Sequence, residues 1–148
     1  MITYIDGDLL KLRNDFDVIA HGCNCHNNFG GGFALQIKNT IPEAWLADQA
    51  TISGDKSKLG TITYTETIPA IVNIYSQYGF GGRKHGKIDL DYDALRSGLK
   101  ALKQRYSGKK IAMNKIGSDL AGGDWDLIEQ IIKEEMVGEY VTIVNYVP

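Results

Sequence analysis

The 148-residue chain predicts an α/β layered domain. Three observations carry that expectation. Apolar runs of strand length alternate along the chain with stretches whose apolar residues step by three and four. No internal repeat, low-complexity tract or linker interrupts the alternation, so residues 1–148 read as one domain. Three glycine-rich loops directly follow apolar strands, which is where open α/β sheets bind ligands.

Taken in order, "ITYI" (2–5) reads as a short strand, and "FDVIAHGC" (16–23) as a buried one. "FALQIKNTIPEAWLADQA" (33–50) reads as helical, with Pro42 ending one helix or starting a second. "LGTITYTETI" (59–68) alternates as a half-buried strand does. "AIVNIYSQ" (70–77) follows it, with Pro69 suiting the turn between them. After the loop "YGFGGRKHGKIDL" (78–90), residues Tyr92, Leu95, Leu99, Leu102 and Tyr106 mark one face of a helix over 91–106. "KKIAMNKI" (109–116) is a strand and "GSDLAGGD" (117–124) a second glycine-rich loop. A helix follows over 125–137, with Asp124 and Asp126 at its favourable N-terminal end, and "YVTIVNY" (140–146) closes the chain as a strand.

Composition narrows the function. A net charge of −2 argues against a broad nucleic-acid surface, so no nucleic-acid partner is expected. It leaves room for a small anion held by backbone N–H groups. No apolar run approaches the roughly 20 residues that span a bilayer, and "MITYIDGD" lacks a signal-peptide pattern. A cytoplasmic monomer without a membrane partner is expected. Cys23 and Cys25, the two cysteines of the chain, lie too close in sequence to bridge each other.

"HGCNCHNNFGGG" (21–32) holds the chemistry-bearing residues. His21, Cys23, Cys25 and His26 have ligand chemistry, but their spacing suits one tetrahedral ion poorly, and no metal or cofactor is expected. Cys25 beside His26 fits a nucleophile; both cysteines fit small buried packing residues better. Asn24, at the end of a buried strand, can donate to and accept from a sugar hydroxyl pair at once. The three glycine-rich loops together suggest a cleft for a phosphorylated ligand, against the plainer reading as sharp turns.

"HGCNCHNNFGGGFALQI", "IDGDLL" (5–10) and "KIGSDLAGGDW" (115–125) resemble, in order and spacing, the binding motifs of macro domains. The resemblance runs nearly end to end. Within the superfamily, residues 21–32 and "FGGRKHG" (80–86) are similar to the branch that dephosphorylates ADP-ribose 1″-phosphate. The resemblance implies a three-layer α/β/α fold with a central mixed sheet and an ADP-ribose derivative as ligand. It implies that Asp8 accepts a hydrogen bond from the adenine amino group, with Leu9 beside it, although Asp8 is equally a turn cap by position. It places Asn24 at the distal ribose and Gly30, Gly31 and Gly32 around the diphosphate. Gly117, Ser118, Asp119, Leu120 and Ala121 form the opposite wall. Tyr146 is the candidate for stacking on adenine, with Asn145 the alternative, and Phe33 lines the pocket or belongs to the core. His21 is the implied acid or base, against a core histidine. Asp119 is a candidate to orient water and His85 to reach the phosphate, while His26 fits a solvent-exposed turn. A lysine-dependent hydrolase branch is less well matched. Its lysine falls near Gln77 and its aspartate at Ala121.

Overall fold

The computed structural model describes residues 1–148. Six strands, β1 (Ile2–Gly7), β2 (Val18–Cys23), β3 (Ile62–Tyr64), β4 (Ala70–Tyr75), β5 (Ile111–Met113) and β6 (Val141–Tyr146), form one sheet in the order β1-β6-β5-β2-β4-β3. β3 alone pairs antiparallel; every other neighbouring pair is parallel. The sheet is therefore mixed, and the C-terminal ends of its five parallel strands share one edge.

Helices cover both faces. α1 (Gly32–Thr40) and α2 (Pro42–Gln49) lie over one face, packed on Ile19, Ile71, Tyr75 and Val144. α3 (Tyr92–Tyr106) and α4 (Trp125–Glu135) cover the other, packed on Ala20, Val72, Ile74, Met113 and Ile143. This is the three-layer α/β/α arrangement. β2 is buried along nearly its whole length, as a central parallel strand with both faces covered must be. Its alternation sends Val18 and Ala20 to one core and Ile19 and Cys23 to the other.

Local chemistry sets the helix ends. Pro42 stands at the first position of α2, where its missing N–H costs nothing, so the single long helical stretch is divided there. Asp91 caps α3 by accepting the Ala94 N–H at 3.0 Å, and Asp124 caps α4 by accepting the Asp126 N–H at 3.0 Å. No helix is long and apolar enough to cross a membrane.

One element departs from the sequence reading. The strand expected over 59–68 is ordered as strand only at Ile62–Tyr64. Beyond it, Thr65 Oγ1 accepts the Ile71 N–H, and Thr67 Oγ1 donates to the Pro69 carbonyl. The Thr65 N–H still reaches the Ile71 carbonyl at 3.0 Å, but a hydroxyl takes the return bond from the Ile71 N–H, and the edge strand stops early.

Candidate functional site

The loops after β1, β2, β4, β5 and β6 converge at the shared C-terminal edge and enclose a cleft of two adjoining cavities, about 740 and 520 Å³. Gly32, Phe33, Asn114, Lys115 and Asp119 line both. The larger cavity lies between residues 21–34, the β4–α3 loop and the β5–α4 loop. The smaller lies between the loop after β1, the start of α1 and the end of β6.

The smaller cavity is walled by Asp8, Leu9, Ser118, Asn145 and Tyr146 as well as the shared residues. Asp8 holds its own turn, since its Oδ1 accepts the Leu10 N–H at 3.1 Å, so the cap role and the place in the cleft coexist. Leu9 is buried in the core beneath the cavity, whereas Tyr146 is largely exposed at its rim. Asn145 lies beside Tyr146 and donates to Asp6 Oδ1 at 3.2 Å.

In the larger cavity the loop after β2 is stitched internally. Asn24 Oδ1 accepts the His26 N–H at 2.9 Å, while its Nδ2 donates to the Asn28 carbonyl at 2.8 Å. Asn28 Oδ1 accepts the Gly30 N–H at 2.7 Å. Lys58, almost fully buried, holds the loop from behind by donating to the Cys25 carbonyl at 3.1 Å and to Asn27 Oδ1 at 2.6 Å. Asn27 itself takes a φ of +56°. Gly32 also needs the left-handed region, at φ +59°, to turn into α1. Gly31 does not: its φ is −149°, and a Cβ there meets Leu120 across the cleft at 3.4 Å. α1 carries no side-chain cap and no acid in its first turn, so its leading N–H groups and positive dipole end face the cleft unneutralised.

His21 lines the larger cavity yet is only 1% exposed. Phe29 and Phe33 meet its ring edge-on. Burial pulls its imidazole down to about 4, against the opposing effect of the hydrogen bond to Asn73. The ring therefore stays neutral at pH 7. Cys23 and Cys25 are both buried and free, and burial raises both thiols. That suits packing rather than a nucleophile. No three His, Cys, Asp or Glu side chains converge as metal ligands do.

The opposite wall carries Gly117, Leu120 and Ala121 in the larger cavity, and Asp119 in both. Asp119, 85% exposed, pairs with Arg83 at 3.2 Å, bridging the β5–α4 and β4–α3 loops. His85 ends the short 3₁₀ helix Gly82–His85 and lines neither cavity. His26 packs against Tyr78 behind the loop rather than standing free in a turn. Gln77 does line the cleft. The sequence reading passed over Arg83, Lys84, Lys115 and Phe80, all of which line the larger cavity. The available signal was basic residues inside or flanking the loops already marked by their glycines.

No family model matches the chain. It is 32% identical to an uncharacterised 17.5 kDa protein of enterobacteria phage T4, covering all of this chain and 98% of that one. It is 27% identical to the ADP-ribose 1″-phosphate phosphatase of Saccharomyces cerevisiae, over 82% of this chain and 72% of that one. It is also 27% identical to the DNA ADP-ribosyl glycohydrolase of Mycobacterium tuberculosis, over 88% of this chain but 37% of that one. Among solved structures, a protein of unknown function from Bacteroides thetaiotaomicron superposes with a TM-score of 0.81 at 31% identity, covering 98% of each chain. The macrodomain of Mycobacterium tuberculosis DarG superposes at 0.75 and 25% identity, covering 100% of this chain and 98% of that one.

Proposed function

The chain belongs to the macro domain family, and from that premise we propose that it hydrolyses an ADP-ribose derivative, with ADP-ribose 1″-phosphate as the substrate it fits best. The observation that carries this reading is the charge layout of the cleft. Uncapped N–H groups of α1 lie at its centre, and Arg83, Lys84 and Lys115 lie around the larger cavity. An internal diphosphate and a terminal phosphate have counterparts there.

In this reading adenine enters the smaller cavity against Asp8 and Tyr146. The diphosphate spans Gly30–Gly32 and Gly117–Ala121, and the distal ribose reaches Asn24. Water attacks the phosphorus, the bond from phosphorus to the ribose oxygen breaks, and that oxygen takes up a proton. The lysines and Arg83 offset charge on the phosphoryl oxygens. His21, neutral at pH 7, serves as acceptor of the water proton rather than as a cationic acid. Asp119 is the second candidate to orient water. His85 falls behind both, being outside the cleft. Gln77 in place of a lysine disfavours a lysine-dependent glycohydrolase. A non-catalytic ADP-ribose reader is the second reading, favoured by the deep burial of His21.

Calorimetry with ADP-ribose and phosphate release from ADP-ribose 1″-phosphate test the proposal. Release of phosphate is expected. Binding without release leaves the reader, and no binding sinks both. Asp8→Ala is expected to weaken ADP-ribose by roughly 1.5–3 kcal/mol, the worth of a charge-assisted hydrogen bond, and to leave ribose 5-phosphate unchanged.

A further inference from the structure

On the face of the sheet under α1 and α2, a line of polar side chains crosses the otherwise apolar packing around β2 and β4. Thr63 on β3 stands opposite Asn73 on β4, and Asn73 stands opposite His21 on β2. These three register partners form a polar rung across three strands, and Asn73 is fully buried. Only His21 lines the cleft.

The direction of every hydrogen bond in the rung is determined. Tyr75, two residues along β4, donates its hydroxyl to Asp48 Oδ1 at 2.8 Å. Its oxygen is then free to accept from Thr63 Oγ1 at 3.0 Å. Asn73 Nδ2 donates to Thr63 Oγ1 at 3.0 Å and to the Ala44 carbonyl at 2.9 Å. A carbonyl only accepts, so the Asn73 amide cannot turn over without setting two oxygens face to face. Its Oδ1 is therefore aimed at His21 Nε2, 2.6 Å away, and that nitrogen must carry the ring's proton. The Cys23 thiol lies 3.5 Å from Nε2 and 3.9 Å from Nδ1, and Nδ1 has no closer side-chain partner in the protein.

We propose that Asn73 is a positioning residue for His21, fixing its Nε2–H tautomer and leaving Nδ1 as the lone-pair nitrogen of a ring at the back of the cleft. The Thr63–Tyr75–Asp48 chain and the Ala44 carbonyl hold Asn73 in turn. The geometry is that of a base oriented by an acceptor behind it, with a neutral amide where a carboxylate is more usual. A neutral amide orients the ring and favours its cation only weakly, less than burial disfavours it, where a carboxylate would favour it strongly. The ionisable groups nearby are Cys23 on the same strand, Tyr75 on β4, Asp48 on α2 and Lys58 in the segment before β3. The consequence for catalysis rests on the phosphatase reading; the tautomer does not.

Imidazole nitrogen NMR of the unliganded protein, from pH 5 to 8, tests the tautomer directly. His21 is expected as one neutral species protonated at Nε2 throughout. Protonation at Nδ1, or exchange between the two tautomers, overturns the proposal whatever any variant does. In Asn73→Asp a carboxylate replaces the amide oxygen, and the His21 titration is expected to rise at least tenfold in proton affinity. The acidic limb of phosphate release should rise with it, because a protonated ring accepts no proton. An Asn73→Asp protein that is folded but whose His21 titration stays put also overturns the proposal. A fixed Nε2–H tautomer in a protein that releases no phosphate upholds the positioning and removes the phosphatase reading alone.

Discussion

In the loop after β2, residues 24–31, Asn24, Asn27 and Asn28 all bond back onto the protein, and a buried ammonium grips the loop from behind. In the loop after β5, residues 117–123, the turn is held mainly by backbone bonds, Gly122 to Asp119 and Gly123 to Gly117. Its side chains Asp119 and Leu120 project into solvent. One wall is pre-organised and the other is free to adjust. Pre-organised polar groups act on a bound ligand without the cost of ordering them, so under the proposed phosphatase reading the stitched wall suits the end of the ligand where bonds change. The looser wall suits closure over the middle.

The largest way to break this contrast is Lys58→Met. It keeps the aliphatic stem and removes the donor to the Cys25 carbonyl and Asn27. Two charge-assisted bonds are lost, so urea unfolding should show a loss of about 3–5 kcal/mol. A loss under about 1 kcal/mol means that the grip on the loop is nominal.

Acid offers a second route. The unfolded chain's histidine takes up a proton near 6.5, while His21 in the fold resists it down to about 4. As pH falls through that window the unfolded state binds the extra proton and stability declines, by roughly 3 kcal/mol once the pH is below both values. Burial raises the Asp48 carboxyl, which works in the opposite sense because the fold binds its proton more readily. Urea midpoints at pH 7.5, 6 and 5 should fall for the wild type and flatten for His21→Gln. Parallel slopes for the two proteins rule out His21 as the source.

Gly31→Val sharpens the contrast at the gap between the walls. Its backbone is ordinary and Leu120 lies at van der Waals distance, so stability should move by no more than about 0.5 kcal/mol. A side chain there narrows the cleft, and calorimetry should show ADP-ribose weakened at least tenfold, about 1.4 kcal/mol. Equal losses in stability and binding would make the glycine structural. The smallest effect belongs to the looser wall. Arg83→Gln and Asp119→Asn each break an exposed ion pair, and each should cost less than about 1 kcal/mol of stability. A larger cost would show that the second loop is as fixed as the first.

Much of this was legible in the sequence. β2 and α3 announce themselves because burial imposes a period of two or of three to four on apolar residues. The glycine runs mark the cleft because tight turns beside a ligand leave no room for Cβ atoms. Edge strand β3 was misjudged in length because hydroxyl capture of the backbone by Thr65 and Thr67 leaves no trace in hydropathy. His21 and His85 illustrate the same limit at the site. In sequence His21 was the implied acid or base and His85 the candidate to reach the phosphate, yet one is buried at the back of the cleft and the other lines neither cavity.

The sequence by itself determined the order of strands and helices, the glycine-rich edge and the residues of the two main loops, because these follow from local periodicity and backbone sterics. Only the tertiary structure decided that Lys58 grips the loop at Cys25, that Arg83 reaches Asp119, and that Asn73 dictates where His21 keeps its proton. His21 and Asn73 lie 52 positions apart in the chain. A buried polar group takes whichever partner the sheet register brings beside it, and that register is set by the packing of the whole fold.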